Sequence, residues 1–249
     1  MLKLRVFAAS ILLVAIALVV LTATSKLPDN SERPVSHVIS DGYSTSLGRA
    51  FAPLLEIHPD QSAIYLLGDG RDAFVGRVIS ARQAERSIDV QYYMFHQDTV
   101  GQLLINELLD AADRGVRVRL LVDDMYGSEA DAMWLGLDSH PRFDVRLFNP
   151  FIRGRSKNLQ FVTHLKRINY RMHSKSFTVD DQLTIVGGRN IGDEYFNADR
   201  NLAFSDLDVL AIGPIAHDVS TEFDACWNSA HTYPVTTLNP PVEAVSLDQ

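Results

Sequence analysis

From residue 62 onward the apolar positions switch repeatedly between two periods. The runs "SAIYLLG" (62–68), "SIDVQYYMF" (87–95), "VRVRLLVDD" (116–124) and "FDVRLFNP" (143–150) are short and rich in β-branched and aromatic residues, as strands are, and the third alternates until its apolar end. Between them, "RDAFVGRVISARQAER" (71–86) and "TVGQLLINELLDAADRG" (99–115) repeat at the helical period. The second helix sets Val100, Leu104, Leu108 and Ala111 on one stripe and stops at Gly115. Strand and helix alternating at this spacing predicts an α/β fold, a mixed sheet flanked by helices. Later, "SFTV" (176–179) and "LTIV" (183–186) read as two more strands joined by a tight turn at Asp180-Asp181-Gln182. The chain contains no internal repeat.

The first 60 residues follow neither period. Lys3 and Arg5 precede an 18-residue apolar run, Val6 to Ala23, interrupted only by Ser10 and Thr22, which is at the lower limit for crossing a bilayer. The run is longer than most signal-peptide cores and has no clear A-x-A exit and no lipobox cysteine, so a retained anchor is favoured over a cleaved signal. The positive flank favours an N-terminus inside, which places the protein at the cell (inner) membrane with its folded part outside the cytoplasm. The Ser-, Pro- and Gly-rich stretch that follows reads as a tether. The expected organisation is therefore 1–25 signal anchor or signal peptide, 26–60 tether and 61–249 catalytic lobe.

With 46% hydrophobic and 22% charged residues, the 249-residue chain is long enough for a substantial core and shows no disorder signature. Its single cysteine, Cys226, excludes an internal disulfide framework and a thiolate metal cluster, and reads as core filler beside Trp227. Charge is uneven. Between Asp144 and Asp180 there is no acidic residue, yet the interval holds eight of the 23 basic ones: Arg146, Arg153, Arg155, Lys157, Lys166, Arg167, Arg171 and Lys175. The remaining 15 face all 31 acidic residues. A solvated basic loop is the ordinary meaning of such a run, but this one leads straight into a concentrated polar segment, so it reads as an approach for a phosphate or a membrane surface.

That segment is "RMHSKSFTVDDQLTIVGGRN", residues 171–190. Side chains two apart in a strand share a face, so His173 and Lys175 project together, whereas Asp180 has the opposite parity. Gly187 and Gly188 let the backbone come close to a ligand before Asn190. An imidazole can attack phosphorus while an ammonium and an amide donate to its non-bridging oxygens, which describes phosphoryl or phosphatidyl transfer without a metal.

The spacing H-x-K-x4-D-x6-G-G-x-N, carried by His173, Lys175, Asp180, Gly187, Gly188 and Asn190, resembles the signature of the phospholipase D superfamily. At ordinary residue usage six such matches arise by accident in well under roughly one chain in ten thousand. The stretches "SIDVQYYMFHQDTVGQLLINELLDAADRGVRVRLLVDD" and "RNIGDEYF…FSDLDVLAIGP" also look like the first catalytic lobe of bacterial cardiolipin synthases, and the resemblance covers roughly residues 61 to 235. It implies a phosphodiesterase or phosphatidyltransferase working through a phosphohistidine, with His173 as nucleophile or partner acid. Lys175 and Asn190 would hold phosphate oxygens, Gly187, Gly188 and Arg171 would contact substrate, and Asp180 would brace the turn. Asp206, the first aspartate of "SDLD", would orient the histidine through its other ring nitrogen, with Asp208 as substitute. No cofactor and no metal are implied. The expected partners are an anionic or zwitterionic phospholipid and the membrane.

Enzymes of this superfamily oppose two such motifs, and this sequence shows one. The triplet "HLK", His164 to Lys166, has Arg171 where the aspartate should fall and is a decoy. Either two chains pair in a homodimer, as in the single-motif nuclease branch, or the chain is the first half of a two-lobe enzyme and needs a second phospholipase D lobe. A nuclease using the same chemistry and an inactive binding remnant are the alternatives, and the net charge of −8 makes nucleic acid an unlikely partner. Other polar residues have plainer readings. Asp123 and Asp124 read as turn or cap residues before metal ligands, His96 and Asp98 as structural before substrate contacts, "GDG" (68–70) as a turn, and Tyr92, Tyr93 and Phe95 as core.

Overall fold

The computed structural model describes residues 26–199 and 202–239, together with scattered positions between 3 and 16. After a first helix α1 (Ser46–Ile57), strands β1 (Ala63–Leu67), β2 (Ser87–Tyr92), β3 (Arg117–Asp123) and β4 (Phe143–Phe148) fall on the four strand-type runs. Helices α2 (Gly70–Gln83) and α3 (Thr99–Asp113) fall on the two helical ones. Helix α4 (Asp131–Asp138) lies between β3 and β4, and beyond β4 come the short helices α5 (Lys157–Thr163) and α6 (Leu165–Ile168) and the hairpin β5 (Ser176–Val179) and β6 (Leu183–Gly187). Strand β7 (Asp208–Ile212), α7 (Pro214–Trp227), β8 (Thr232–Pro234) and α8 (Val235–Leu238) complete the chain. The strands form one sheet in the order β1-β7-β6-β5-β2-β3-β4-β8, with β2, β3 and β4 parallel and every other neighbouring pair antiparallel.

Local chemistry sets these boundaries. Asp69 caps α2 by accepting from the N–H groups of Arg71 and Asp72, and Asp98 caps α3 by accepting from Gly101 N–H. Val100, Leu104, Leu108 and Ala111 are all buried, and α3 ends where Gly115 takes φ 96°, a left-handed conformation that suits glycine. Because β2 and β3 are parallel, α3 has to cross over the sheet, and its apolar stripe packs on Ile88, Val90, Val118 and Leu120. The other face carries a smaller cluster of Leu121, Phe148, Met172, Phe223 and Trp227 beneath α7. On this face β2 and β3 also bury a charged pair. Arg119 donates to both oxygens of Asp89 at 2.7 and 2.8 Å, and its guanidinium lies over the rings of Phe223 and Trp227.

The stretch 26–60, expected to be a tether, carries α1 and is bonded along its length to the lobe. Asn30 Nδ2 donates to Thr232 O, Arg146 donates to Pro34 O, Trp227 Nε1 donates to Ser36 Oγ, and Val38 N–H donates to Asp224. Serine and proline density had hidden contacts that need only backbone carbonyls and small hydroxyls. Of the apolar run Val6 to Ala23 only Phe7, Ser10, Ile11, Leu12, Leu13 and Ile16 are among the described residues, so the expected anchor lies mostly outside them. Among the described residues no helix is long and apolar enough to cross a membrane.

Candidate active site

The hairpin β5–β6 is turned by Asp180 and Asp181 at φ 54° and 57°, two consecutive left-handed residues of the kind a type I′ turn uses, closed by Gln182 N–H donating to Val179 O. Asp180 is fully buried at the opposite end of β5 from His173. Its Oδ1 accepts from Arg86 and Ser87 N–H at 2.7 and 2.9 Å, and its Oδ2 accepts from Glu85 N–H at 3.0 Å. Burial pushes its carboxyl up, and these backbone donors pull it back toward the ionised form. Asp180 thus stitches the α2–β2 connection to the hairpin.

His173 and Lys175 lie just before β5, which begins at Ser176, so the strand parity used to pair them does not apply, yet they do meet. Lys175 Nζ lies 3.0 Å from His173 Nδ1 and 3.3 Å from Nε2, and donates to His173 O at 2.8 Å. The Tyr93 ring stands against the imidazole with centroids 4.8 Å apart, and the ammonium lies 5.7 Å from the same ring centroid. His173 is exposed and Lys175 is 8% exposed. Burial lowers the Lys175 ammonium pKa, and Asp206 opposes that shift. Tyr92 and Phe95 are buried as expected, but Tyr93 is half-buried and belongs to the site. Two adjacent tyrosines at a strand end point to opposite faces, and only the tertiary fold distinguishes them.

Gly187 and Gly188 serve the protein's own carboxylates. A Cβ on Gly188 would sit 2.1 Å from Asp206 Oδ1, and one on Gly187 would sit 2.1 Å from Asp208 Oδ1, so the glycines let the "SDLD" segment lie directly against β6. Asp206 is half-buried and near enough to Lys175 to act on its charge, but among the described residues no hydrogen bond joins it to the His173 ring. Asp208 is unsuited to the substitute role. It is fully buried, accepts from Arg77 Nη2 at 2.8 Å and from Arg189 N–H at 3.2 Å, and Arg77 in turn donates to Tyr92 Oη. Asp208→Ala strands a buried guanidinium and is expected to cost about 3–5 kcal/mol. Denaturant unfolding should register that loss, whereas Asp206→Ala should leave the unfolding midpoint nearly unchanged.

Asn190 is buried and ties the loop after β6 to the end of β2. Its Oδ1 accepts from Met94 N–H at 3.0 Å and its Nδ2 donates to Tyr195 Oη at 3.0 Å, which leaves one amide proton for a substrate oxygen. Arg171 is occupied elsewhere: Nη1 donates to Asp123 at 2.9 Å, and Nε and Nη2 donate to the carbonyls of Ile168 and Asn149. Burial pushes Asp123 up to about 6 even with this partner beside it. Arg153 likewise pairs with Asp124 and Asp131, while Arg146 and Arg167 donate to backbone carbonyls. Four arginines of the basic run therefore hold the fold, Lys157 donates to Met125 O and lies over the Phe151 ring, and the electropositive approach expected from the sequence is reduced to Arg155, Lys166 and Lys175. Asp123 and Asp124 are committed to arginines. His96, Asp98 and Glu194 have ligand-type atoms within 4.8 Å of one another, but both Asp98 oxygens already accept backbone N–H groups, of Gly101 and Asp193. The decoy His164 sits between α5 and α6, its Nδ1 2.8 Å from Thr163 Oγ1.

Residues 78–227 match the family described as cardiolipin synthase, PLD-like domain. Over 181 residues, 73% of this chain and 38% of the relative, the sequence is 50% identical to cardiolipin synthase C from Escherichia coli (strain K12). Phosphatidylserine synthase from Haemophilus influenzae Rd KW20 superposes with a TM-score of 0.52 at 16% identity, over 69% of this chain and 38% of that one. The phospholipase D family member Nuc from Salmonella typhimurium gives 0.50 at 17% identity, over 70% of this chain and 98% of that one. These two likenesses show the fold. The chain belongs to the PLD-like cardiolipin synthase family of the phospholipase D superfamily. It spans about two fifths of the length of the curated relatives it matches.

Proposed function

We propose that the chain is one lobe of a phosphatidyltransferase acting on phospholipid at the membrane. A His173 ring nitrogen attacks the phosphodiester phosphorus, the bond from phosphorus to the leaving alkoxide breaks, and the alkoxide takes its proton from an acid on an opposing lobe. A second alcohol, or water, then gives its proton to that same group as it attacks the phosphohistidine, and the phosphorus–nitrogen bond breaks to restore the imidazole. Lys175 and the free Asn190 amide proton stabilise charge on the non-bridging oxygens. Tyr93 packs the imidazole from the side, and Asp206 balances the Lys175 charge. The single observation that carries this reading is the exposed His173 imidazole held 3.0 Å from the Lys175 ammonium. The apolar run Val6 to Ala23 supports a membrane location with the lobe outside the cytoplasm.

Turnover of phosphatidylglycerol vesicles and of single-stranded DNA by the chain, paired with a second lobe, tests the proposal. Lipid turnover that persists in EDTA is the expected result, because charge neutralisation falls to Lys175 rather than to a divalent ion. Cleavage of DNA with no lipid turnover would assign the site to a nuclease. Loss of lipid turnover in EDTA, restored by one divalent ion, would refute the metal-free mechanism.

A further inference from the structure

The excursion between β4 and β5 carries chemistry that the His173 site does not use. Along α5, α6 and the residues after them, Val162 is 70% exposed, Leu165 61%, Tyr170 58% and Phe161 36%. Beside them runs a groove of about 560 Å³ between Leu165, Lys166, Arg167, Tyr170, Asn149 and His231. Apolar side chains this exposed on consecutive turns form a patch that water does not favour. The cations among them have no acidic neighbour in sequence to neutralise them. Arg155 and Lys166 are exposed and, among the described residues, make no ion pair, while Arg167 is turned inward and donates to Asn149 Oδ1 and Pro150 O. A nucleic acid or an acidic protein would match these charges but leave Val162 and Leu165 in water. A second copy of the chain would cover the apolar residues but bring like charges together. A bilayer of anionic phospholipid satisfies both, with apolar side chains at the headgroup–acyl boundary and cations at the lipid phosphates.

Position in the fold gives a second line of support. Tyr170 is three residues from His173, at most about 11 Å along the backbone, so a lipid held at this patch would bring its phosphodiester to the depth of the imidazole. The chain also enters the fold here. Asn30 Nδ2 donates to Thr232 O at 2.7 Å, Thr232 follows the groove residue His231, and Asn30 lies seven residues after Ala23, the end of the apolar run.

We propose that α5, α6 and Tyr170 form a docking face for an anionic phospholipid bilayer, with Val162, Leu165 and Tyr170 seated at the acyl boundary and Arg155 and Lys166 against lipid phosphates. The inference rests on the phospholipid reading of the site, and its test reads docking rather than turnover. In a Cys226→Ser background, the full chain carrying Val162→Cys is labelled with a nitrobenzoxadiazole probe and reconstituted with vesicles of phosphatidylglycerol and phosphatidylcholine containing doxyl lipid. The control carries the label through Ile64→Cys, on β1 at the opposite edge of the sheet from β8, roughly 30 Å away. The probe at position 162 is expected to shift to the blue and lose at least half its emission to the quencher, while the probe at position 64 stays aqueous. Adding Arg155→Glu and Lys166→Glu should return the first probe to the aqueous signal. Equal signals from the two positions overturn the proposal, as does quenching that is as strong in phosphatidylcholine alone. A blue shift at position 162 in lipid-free detergent that grows with protein concentration assigns the face to a second copy and also overturns it. With a second lobe supplied, docking without turnover refutes the phosphatidyltransferase reading alone, and turnover without docking refutes this proposal alone.

Discussion

Replacing His173 with alanine is expected to lower phosphatidyl transfer by about 10⁴-fold or more while leaving the unfolding midpoint unchanged, because in the proposed mechanism this side chain supplies the atom that bonds to phosphorus. The imidazole is exposed, and its contacts are with Lys175 and the Tyr93 ring, so its removal opens no cavity in the core. Asp180→Ala should behave in the opposite way. That carboxylate is fully buried and accepts from the N–H groups of Glu85, Arg86 and Ser87, and without it three backbone donors, the buried Ser87 N–H among them, lose their partner, so stability should fall by several kcal/mol. Activity per folded molecule should fall far less than for His173→Ala. A quenched reaction with labelled lipid should trap an acid-labile, base-stable phosphoenzyme on wild type and none on His173→Ala. Equal turnover by the two proteins would end the mechanism, and an active enzyme with no trapped intermediate would leave His173 only the role of the acid.

How far the sequence discloses this arrangement depends on whether a feature is periodic or tertiary. The alternating periods give β1 to β6, α2 and α3 almost to their ends, because burial on a sheet face or a helix stripe writes itself into every second or every third and fourth residue. The spacing of His173, Lys175 and Asn190 marks the candidate site because the chemistry proposed for it calls on those side chains. What the sequence conceals is commitment. Arg171, Arg153 and Asp208 are ionisable residues near the motif, but each is neutralised by a partner 29 residues or more away or on another element, as Asp123, Asp124 and Arg77 show. Linear charge counting sees eight cations and no anions, since the anions that absorb them lie upstream of Asp144. The glycines mislead for the same reason. Gly187 and Gly188 do mark a close approach, and what approaches is the chain's own Asp206 and Asp208.

A second lobe is expected to raise turnover of this chain by about 10²- to 10⁴-fold, the range that protonation of a leaving group contributes. His173 stands at an open surface, and among the described residues no acid faces its ring from across a cleft. Next to Asp206, Leu202, Phe204 and Leu207 are 49%, 42% and 51% exposed, an apolar border around the site suited to burial under an opposing surface. The matched region makes up 38% of cardiolipin synthase C. Alone in mild detergent the chain should be monomeric by light scattering and should turn over little lipid. Co-expressed with a second lobe of the same family it should form a one-to-one complex and become active, and Leu207→Glu should weaken both the complex and the rescue without lowering the unfolding midpoint. An isolated chain that is already an active two-fold dimer would overturn this expectation, because the opposing imidazole would then come from a second copy. In that case Leu207→Glu should reduce dimerisation and turnover in the same proportion, since each His173 would act as the acid for its partner's site.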